Sequence, residues 1–268
     1  MTRIIAIANQ KGGVGKTTTC VNLAASLAAM KQRVLLIDLD PQGNATMASG
    51  IDKHDIQRSI YDVLVHRAPI HLVTLPTIEC GYDVLPANGD LTAAEVEMLS
   101  IEHKERRLRI ALAEVAGQYD YVLIDCPPSL NMLTINALAA ADGVLIAMQC
   151  EYFALEGLVA LVRTIEGVAE TINQNLQIEG ILRTMYDPRN SLTTDVSAQL
   201  RAHFGDKIYR TVVPRNIRLA EAPSHGLPAM YYDKNSRGSK AYMALAGEII
   251  RRWEQQVAQQ RPDLVLVT

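Results

Sequence analysis

Apolar residues fall along this chain in short, dense runs, and between the runs they recur every three or four positions. The runs at 3–9 (RIIAIAN), 33–40 (RVLLIDLD), 82–88 (YDVLPAN), 120–128 (DYVLIDCPP), 143–149 (GVLIAMQ), 176–186 (LQIEGILRTMY) and 207–214 (KIYRTVVP) predict strands. The intervening stretches 16–30, 103–117 and 154–172 have the helical period. Strands and helices that alternate in this way predict an α/β fold of three layers, with a mostly parallel, twisted sheet covered by helices on both faces. No internal repeat, low-complexity tract or linker interrupts the alternation. The expectation is one domain over residues 1–254, followed by a tail, 255–268, of weak helical character that ends in RPDLVLVT.

Composition narrows the function classes. The chain has 268 residues, of which 49% are hydrophobic, enough for a sizeable core. Its first apolar run is far too short for a signal peptide, and no run approaches the roughly 18 residues of a membrane span. The four cysteines, at 20, 80, 126 and 150, form no CxxC pair, so neither a disulfide framework nor a zinc site is expected, and a reducing cytoplasmic setting is the default. Aromatic residues make up only 5% of the chain, which argues against a surface that stacks nucleic-acid bases.

The first strand runs into NQKGGVGKTTT, residues 9–19. A strand, a glycine-rich turn and then a helix aim backbone N–H groups and the helix dipole at one point, where phosphate binds. Lys16 is placed to hold β- and γ-phosphate oxygens and Thr17 to offer a hydroxyl to Mg²⁺. The usual pattern requires glycine at position 10, but Gln10 stands there and Lys11 follows, so the loop carries two lysines. Mg²⁺ also calls for acids near by, and Asp38, Asp40 and Asp125 each stand at the end of an apolar run. Singly, such residues are most often turn or cap residues. Three of them beside a phosphate loop point to metal and water positioning.

Five segments in order, KGGVGKTT (11–18), DLDPQGNAT (38–46), LIDCPPSL (123–130), QCEYFALEGL (149–158) and VPRNIRLAEAPSHG (213–226), give the chain a specific resemblance to the ParA/MinD group of P-loop ATPases over about residues 3–250. Within that group it is most similar to the short partition proteins often called Soj. The resemblance implies a P-loop NTPase fold with a deviant Walker A loop, ATP and Mg²⁺ as cofactors, and Mg²⁺-dependent hydrolysis of ATP to ADP and phosphate. It implies that Lys11 reaches across an ATP sandwich homodimer to the partner's phosphates, where a second cation would act as an arginine finger does. The nucleotide contacts implied are Lys11, Gly12, Gly13, Val14, Gly15, Lys16, Thr17 and Thr18, with Pro214, Arg215 and Asn216 framing adenine. Asp40 would orient the attacking water, and Thr17, Asp40 and Asp125 would serve the metal. Asn216 could equally cap the helix that follows it.

The net charge of −3 hides an asymmetry. From 180 to 252 there are 12 Lys/Arg and 6 Asp/Glu, an excess of +6, which leaves −9 for the rest. Separated charge of this kind suggests a basic face for a phosphate backbone. The resemblance favours Arg189 and Arg218 as non-specific DNA contacts, and Lys234, Arg237 and Lys240 are further candidates. It also implies a ParB-type, centromere-binding partner that stimulates hydrolysis, and a nucleoid-associated cytoplasmic protein. No helix-turn-helix precedes the phosphate loop, so operator reading is not expected. The alternative is a MinD-like membrane-cycling ATPase, which would use a basic amphipathic C-terminal helix. Here Ile249, Ile250, Trp253 and Val257 form a modest stripe suited to packing on the protein's own domain. An iron–sulfur reductase would need cluster cysteines at a subunit seam, whereas Cys126 and Cys150 read as small buried residues.

Overall fold

The computed structural model describes residues 2–260. Its strands are β1 (Arg3–Ala8), β2 (Val34–Asp38), β3 (Leu75–Pro76), β4 (Asp83–Leu85), β5 (Tyr121–Asp125), β6 (Gly143–Gln149), β7 (Gln177–Tyr186) and β8 (Ile208–Pro214). They form one sheet in the order β3-β4-β2-β5-β1-β6-β7-β8. Every pairing is parallel except the short one between β3 and β4. All seven runs read as strands lie in this sheet. Only β3 has no counterpart in the sequence reading, because two residues containing a proline carry no periodic signal, and proline in a sheet belongs at an edge.

Eleven α-helices among the described residues cover the sheet. α1 (Lys16–Ala29), α2 (Asn44–Ala48), α3 (Ile60–Leu64), α4 (Leu91–Glu97), α5 (Arg107–Ala113) and α6 (Met132–Ala140) precede β6 in the chain. α7 (Ala154–Thr171), α8 (Ser191–Phe204), α9 (Ile217–Glu221), α10 (Ala229–Tyr232) and α11 (Arg237–Gln260) follow it. Successive residues of each strand serve opposite faces. Ala6, Ala8, Leu35 and Ile37 join the core beneath α3 to α8, while Ile5, Ile7 and Leu36 join the core beneath α1 and α11. The strands are therefore apolar without alternation, as a sheet covered on both sides requires.

Two helical expectations change in detail. The stretch 103–117 is helical only over Arg107–Ala113, because His103 has φ 55° and a 3-10 turn intervenes. The amide of Asn136 accounts for the boundary: it donates to Lys104 O and accepts from Leu108 N–H, tertiary bonds that no local pattern encodes. At the other end, α11 runs through position 255 to Gln260, while the rest of the tail, 261–268, lies outside the described residues. Ile249 is fully buried, and Ile250 and Trp253 pack against the same core, so these three residues of the apolar stripe of α11 are used by the domain itself. At the outer strand, the Glu248 carboxylate of α11 accepts from the N–H groups of Arg210 and Thr211. No helix among the described residues is long and apolar enough to cross a membrane.

Candidate nucleotide site

Because the sheet is parallel, the carboxyl ends of its strands share one edge, and ligands of open α/β sheets bind there. The phosphate loop leaves β1 at this edge. Asn9 pins its start, donating from Nδ2 to Ala147 O of β6 (2.8 Å) while its Oδ1 accepts from Lys11 N–H (2.9 Å). Farther on, Val14 is buried and its carbonyl accepts from the Thr184 hydroxyl of β7 (2.8 Å). Gly13 and Gly15 have φ of 73° and 88°, left-handed values that side chains disfavour. Gly15 caps α1 without a side-chain acceptor, and no acidic residue lies in the first turn, so the N–H groups there remain available to an anion. Thr17 and Thr18 lie in that turn, half-buried.

Lys16 is buried, and its ammonium lies 3.3 Å from Lys11 O. Burial lowers its pKa, while Asp125, Cys126 and Asp40 oppose the shift. Asp125 pairs in register with Asp38 of β2 and with Ile7 of β1. It is fully buried, yet neither carboxylate oxygen has a hydrogen-bond partner. Burial pushes its pKa well up and the Asp38 charge adds to this, while Thr17 and Lys16 pull the other way. An orphaned buried carboxylate beside a threonine and a lysine fits a hydrated Mg²⁺, which takes few protein ligands and completes its shell with water and phosphate. No cluster of three or more metal-ligating His, Cys, Asp or Glu occurs among the described residues, so the protein offers no closed cage.

Asp38 has a different role. Its Oδ2 accepts from the Thr46 N–H (2.8 Å) and hydroxyl (2.7 Å), and its Oδ1 from Asp40 N–H (3.2 Å). Burial raises its pKa to about 6, with the Thr46 bonds opposing. Asp38 thereby ties the end of β2 to α2 and fixes the turn that presents Asp40. Asp40 is half-buried and accepts from Gln42 N–H through Oδ1.

Lys11 turns outward. Its ammonium pairs with Glu151, just beyond β6, and the two side chains are 48% and 42% exposed. A Cβ on Gly12 would meet nothing within 4 Å. Tyr152 and Phe153, next to Glu151, are 72% and 73% exposed and stack edge-on with centroids 5.1 Å apart. Leu130 after β5 and Ile217 after β8 are exposed on the same edge. Sequence reasoning missed this apolar rim, although the QCEYFALEGL segment contains its centre.

Pro214 ends β8 at the same edge and Arg215 is exposed. Asn216 caps α9, accepting from Arg218 N–H through Oδ1 (3.1 Å), which leaves its Nδ2 donors free to bond a base. The proposed basic face is less free than its charge count implies. Arg189 is held by both oxygens of Asp187, and Arg218 bonds Glu221 at 2.7 Å and lies 3.4 Å from Asp233. Arg183, part of the +6 excess, is fully buried and donates to Ser197 Oγ and Tyr209 O, so it belongs to the interior and not to any face. Lys234, Arg237 and Lys240 are exposed and have no carboxylate partner among the described residues.

Several known proteins are similar to this chain. A family model described as an AAA domain matches residues 2–178. The chromosome partitioning protein ParA of Caulobacter vibrioides is 53% identical over 93% of this chain and 94% of its own. The chromosome-partitioning ATPase Soj of Thermus thermophilus is 50% identical over 93% and 96%. Among solved structures, a cobyrinic acid a,c-diamide synthase from Mycobacterium smegmatis with bound ADP and magnesium superposes with a TM-score of 0.83 at 37% identity, covering 95% of this chain and 96% of that one.

Proposed function

The chain belongs to the ParA/Soj group of P-loop ATPases, and we propose that it works as the ATP-switched, DNA-binding motor of chromosome or plasmid partition. In this reading Lys16 and the free N–H groups at the start of α1 hold the β- and γ-phosphates, and Pro214, Arg215 and Asn216 hold adenine, with Asn216 Nδ2 donating to the base. Mg²⁺, when bound at Thr17 and Asp125, neutralises phosphate charge. Asp40 accepts a hydrogen bond from the attacking water and aims it. Lys11 exchanges Glu151 for the phosphates of a second protomer, so ATP becomes part of a homodimer interface.

The observation that carries the reading is the outward course of Lys11. It lies in a loop built for phosphate, yet its ammonium is exposed and pairs with Glu151, and the next residue in the loop is a glycine with open space around it. A cation so placed serves a neighbour better than its own loop. The dimer would bind duplex DNA without sequence preference, through Arg189, Arg218 and the Lys234–Arg237–Lys240 group. Hydrolysis, stimulated by a ParB-type partner bound at centromere-like sites, would release it. Against the membrane-cycling alternative, Ile249, Ile250 and Trp253 are spent on the domain's own core.

Light scattering and duplex anisotropy, each with ADP and with a non-hydrolysable ATP analogue, test the reading. A dimer that forms and binds two unrelated duplexes equally, only with the analogue, is the expected result. Equal DNA affinity in both nucleotide states would overturn the switch.

A further inference from the structure

The turn that carries Asp40 joins β2 to α2, and connecting turns of this kind move unless they are tied down. This one is tied at its root and at its tip. At the root, Asp38 Oδ1 accepts from Asp40 N–H (3.2 Å), while Asp38 Oδ2 accepts from the Thr46 hydroxyl (2.7 Å). The chain beyond β4 adds a third party, because Ala87 N–H donates to Thr46 Oγ1 (2.9 Å). The hydroxyl thus receives a proton from Ala87 and sends its own to Asp38, which leaves it one orientation. At the tip, Lys53 lies along the turn and its ammonium donates to Gln42 O (2.7 Å). Gln42 N–H in turn holds Asp40 Oδ1 (2.9 Å).

Gly43 shows how closely the turn is held. Its φ is 60°, and a Cβ there would lie 2.7 Å from Ala87 O and 2.9 Å from Lys53 Cδ. The turn is therefore clasped between the backbone at Ala87 and the stem of Lys53, with room for glycine alone. Lys53 is half-buried and forms no ion pair among the described residues. An ammonium that gives up part of its hydration for one neutral carbonyl makes a costly exchange, and what it gains here is a fixed position for Gln42.

We propose that Thr46 and Lys53 are positioning residues for ATP hydrolysis, which hold Asp40 where it can aim the attacking water and touch neither the water nor the nucleotide themselves. The inference rests on the role given to Asp40 above and assigns the precision of that role to two side chains outside the phosphate loop. Thr46 acts through Asp38 on the root of the turn, and Lys53 acts through Gln42 on its tip. A group that aims a water tolerates little displacement: a shift of about 1 Å can cost roughly 100-fold in rate. Nucleotide binding has a different basis, in Lys16 and the N–H groups at the start of α1, and the hydrogen bonds of Thr46 and Lys53 go elsewhere. Loosening the turn should therefore slow turnover and leave binding alone.

The test compares Thr46→Val, Thr46→Ser, Lys53→Met and Asp40→Ala in the full chain, by steady-state phosphate release with Mg-ATP and by light scattering with a non-hydrolysable ATP analogue. Thr46→Val removes the hydroxyl at nearly constant volume and should lower kcat roughly 10- to 100-fold, with KM for ATP and the analogue-bound dimer unchanged. Thr46→Ser keeps the hydroxyl and should restore most of the rate. Lys53→Met keeps the stem against Gly43 and loses only the ammonium, so kcat should fall less, again at constant KM. A wild-type kcat in either Thr46→Val or Lys53→Met removes that residue from the proposal, and in both overturns it. So does a fall in kcat that comes only with a raised KM or a lost dimer, or one that Thr46→Ser fails to reverse, since either would mark general damage to the site. If Thr46→Val does not fold, Lys53→Met decides the matter, because its half-buried side chain keeps its packing. Asp40→Ala separates the two levels: full turnover in that variant would overturn the water-aiming reading itself, whereas an inactive Asp40→Ala beside fully active Thr46→Val and Lys53→Met overturns the clasp alone.

Discussion

The phosphate loop and the proposed basic face would both meet phosphate, yet they are built in opposite ways. The loop is contiguous in sequence and set by backbone: Asn9, Gly13, Gly15 and the first turn of α1 place every donor within one short stretch. Its cation, Lys16, is buried and faces carboxylates that it does not bond directly. The basic face is assembled from side chains far apart in sequence, and its two favoured arginines are exposed and saturated by Asp187, Glu221 and Asp233. A buried, unmatched site is tight and selective. An exposed, matched one is weak, screened by salt and easily exchanged, which would suit the DNA release that we propose.

Four experiments would break or sharpen that contrast. The largest effect is expected for Lys16→Ala, which should weaken ATP binding by about 2–5 kcal/mol, as loss of a buried charge-assisted contact does. Titration calorimetry with Mg-ATP reads it directly, and near wild-type affinity would remove the phosphate-loop assignment.

Next, Lys11→Ala should leave ATP binding by the protomer within a few-fold of wild type, yet weaken the ATP dimer roughly tenfold or more, on the scale of one charge-assisted contact. Gly12→Val should act in the same direction without destabilising the protomer, because its side chain enters open space. Light scattering with the ATP analogue decides both, and intact dimers would return Lys11 to the status of a solvated loop residue.

The third concerns the acids. A carboxyl whose folded pKa is raised keeps a proton that the unfolded chain has lost, so it favours folding at low pH, and the benefit fades as pH rises. For Asp38 the window runs from about 4 to about 6, and Asp125 extends it upward. In nucleotide-free protein, Asp125→Asn should flatten the loss of stability as pH rises, because the group that must ionise in a buried, unpartnered place is gone, and should abolish turnover. Melting curves over a pH series, beside phosphate release, read both. Asp40→Ala should also lose turnover but keep ATP binding and the dimer, with no gain in stability.

The smallest effect belongs to the exposed face. Arg189→Ala and Arg218→Ala should each weaken duplex binding a few-fold and flatten the salt slope by roughly 0.9 per lost contact, two per dimer. The sharper variant is Asp187→Asn. If the ion pair holds Arg189 back from phosphate, removing its charge should tighten DNA binding, and an unchanged isotherm would show that the pair does not compete.

The same division explains what could be read from the sequence. The strands, the loop and the acids at the strand ends were legible because backbone periodicity and short-range spacing specify them. The role of Asp38 as an anchor and not a ligand depends on Thr46, eight residues on, and was not visible. Nor was the interior place of Arg183, since a charge count cannot distinguish a buried guanidinium bonded to backbone carbonyls from a solvated one. The bond of Arg218 to Asp233 spans a turn and two short helices. The break in the helix at 103–107 depends on Asn136, a contact that only the folded chain brings about.

Protein molecules held at high local concentration can join sheets, strand against strand. Here the β3 side ends in a two-residue antiparallel strand with Pro76, and on the β8 side Glu248 occupies the N–H groups of Arg210 and Thr211. Both flanks are thus poor templates for fusion with the sheet of a neighbouring molecule.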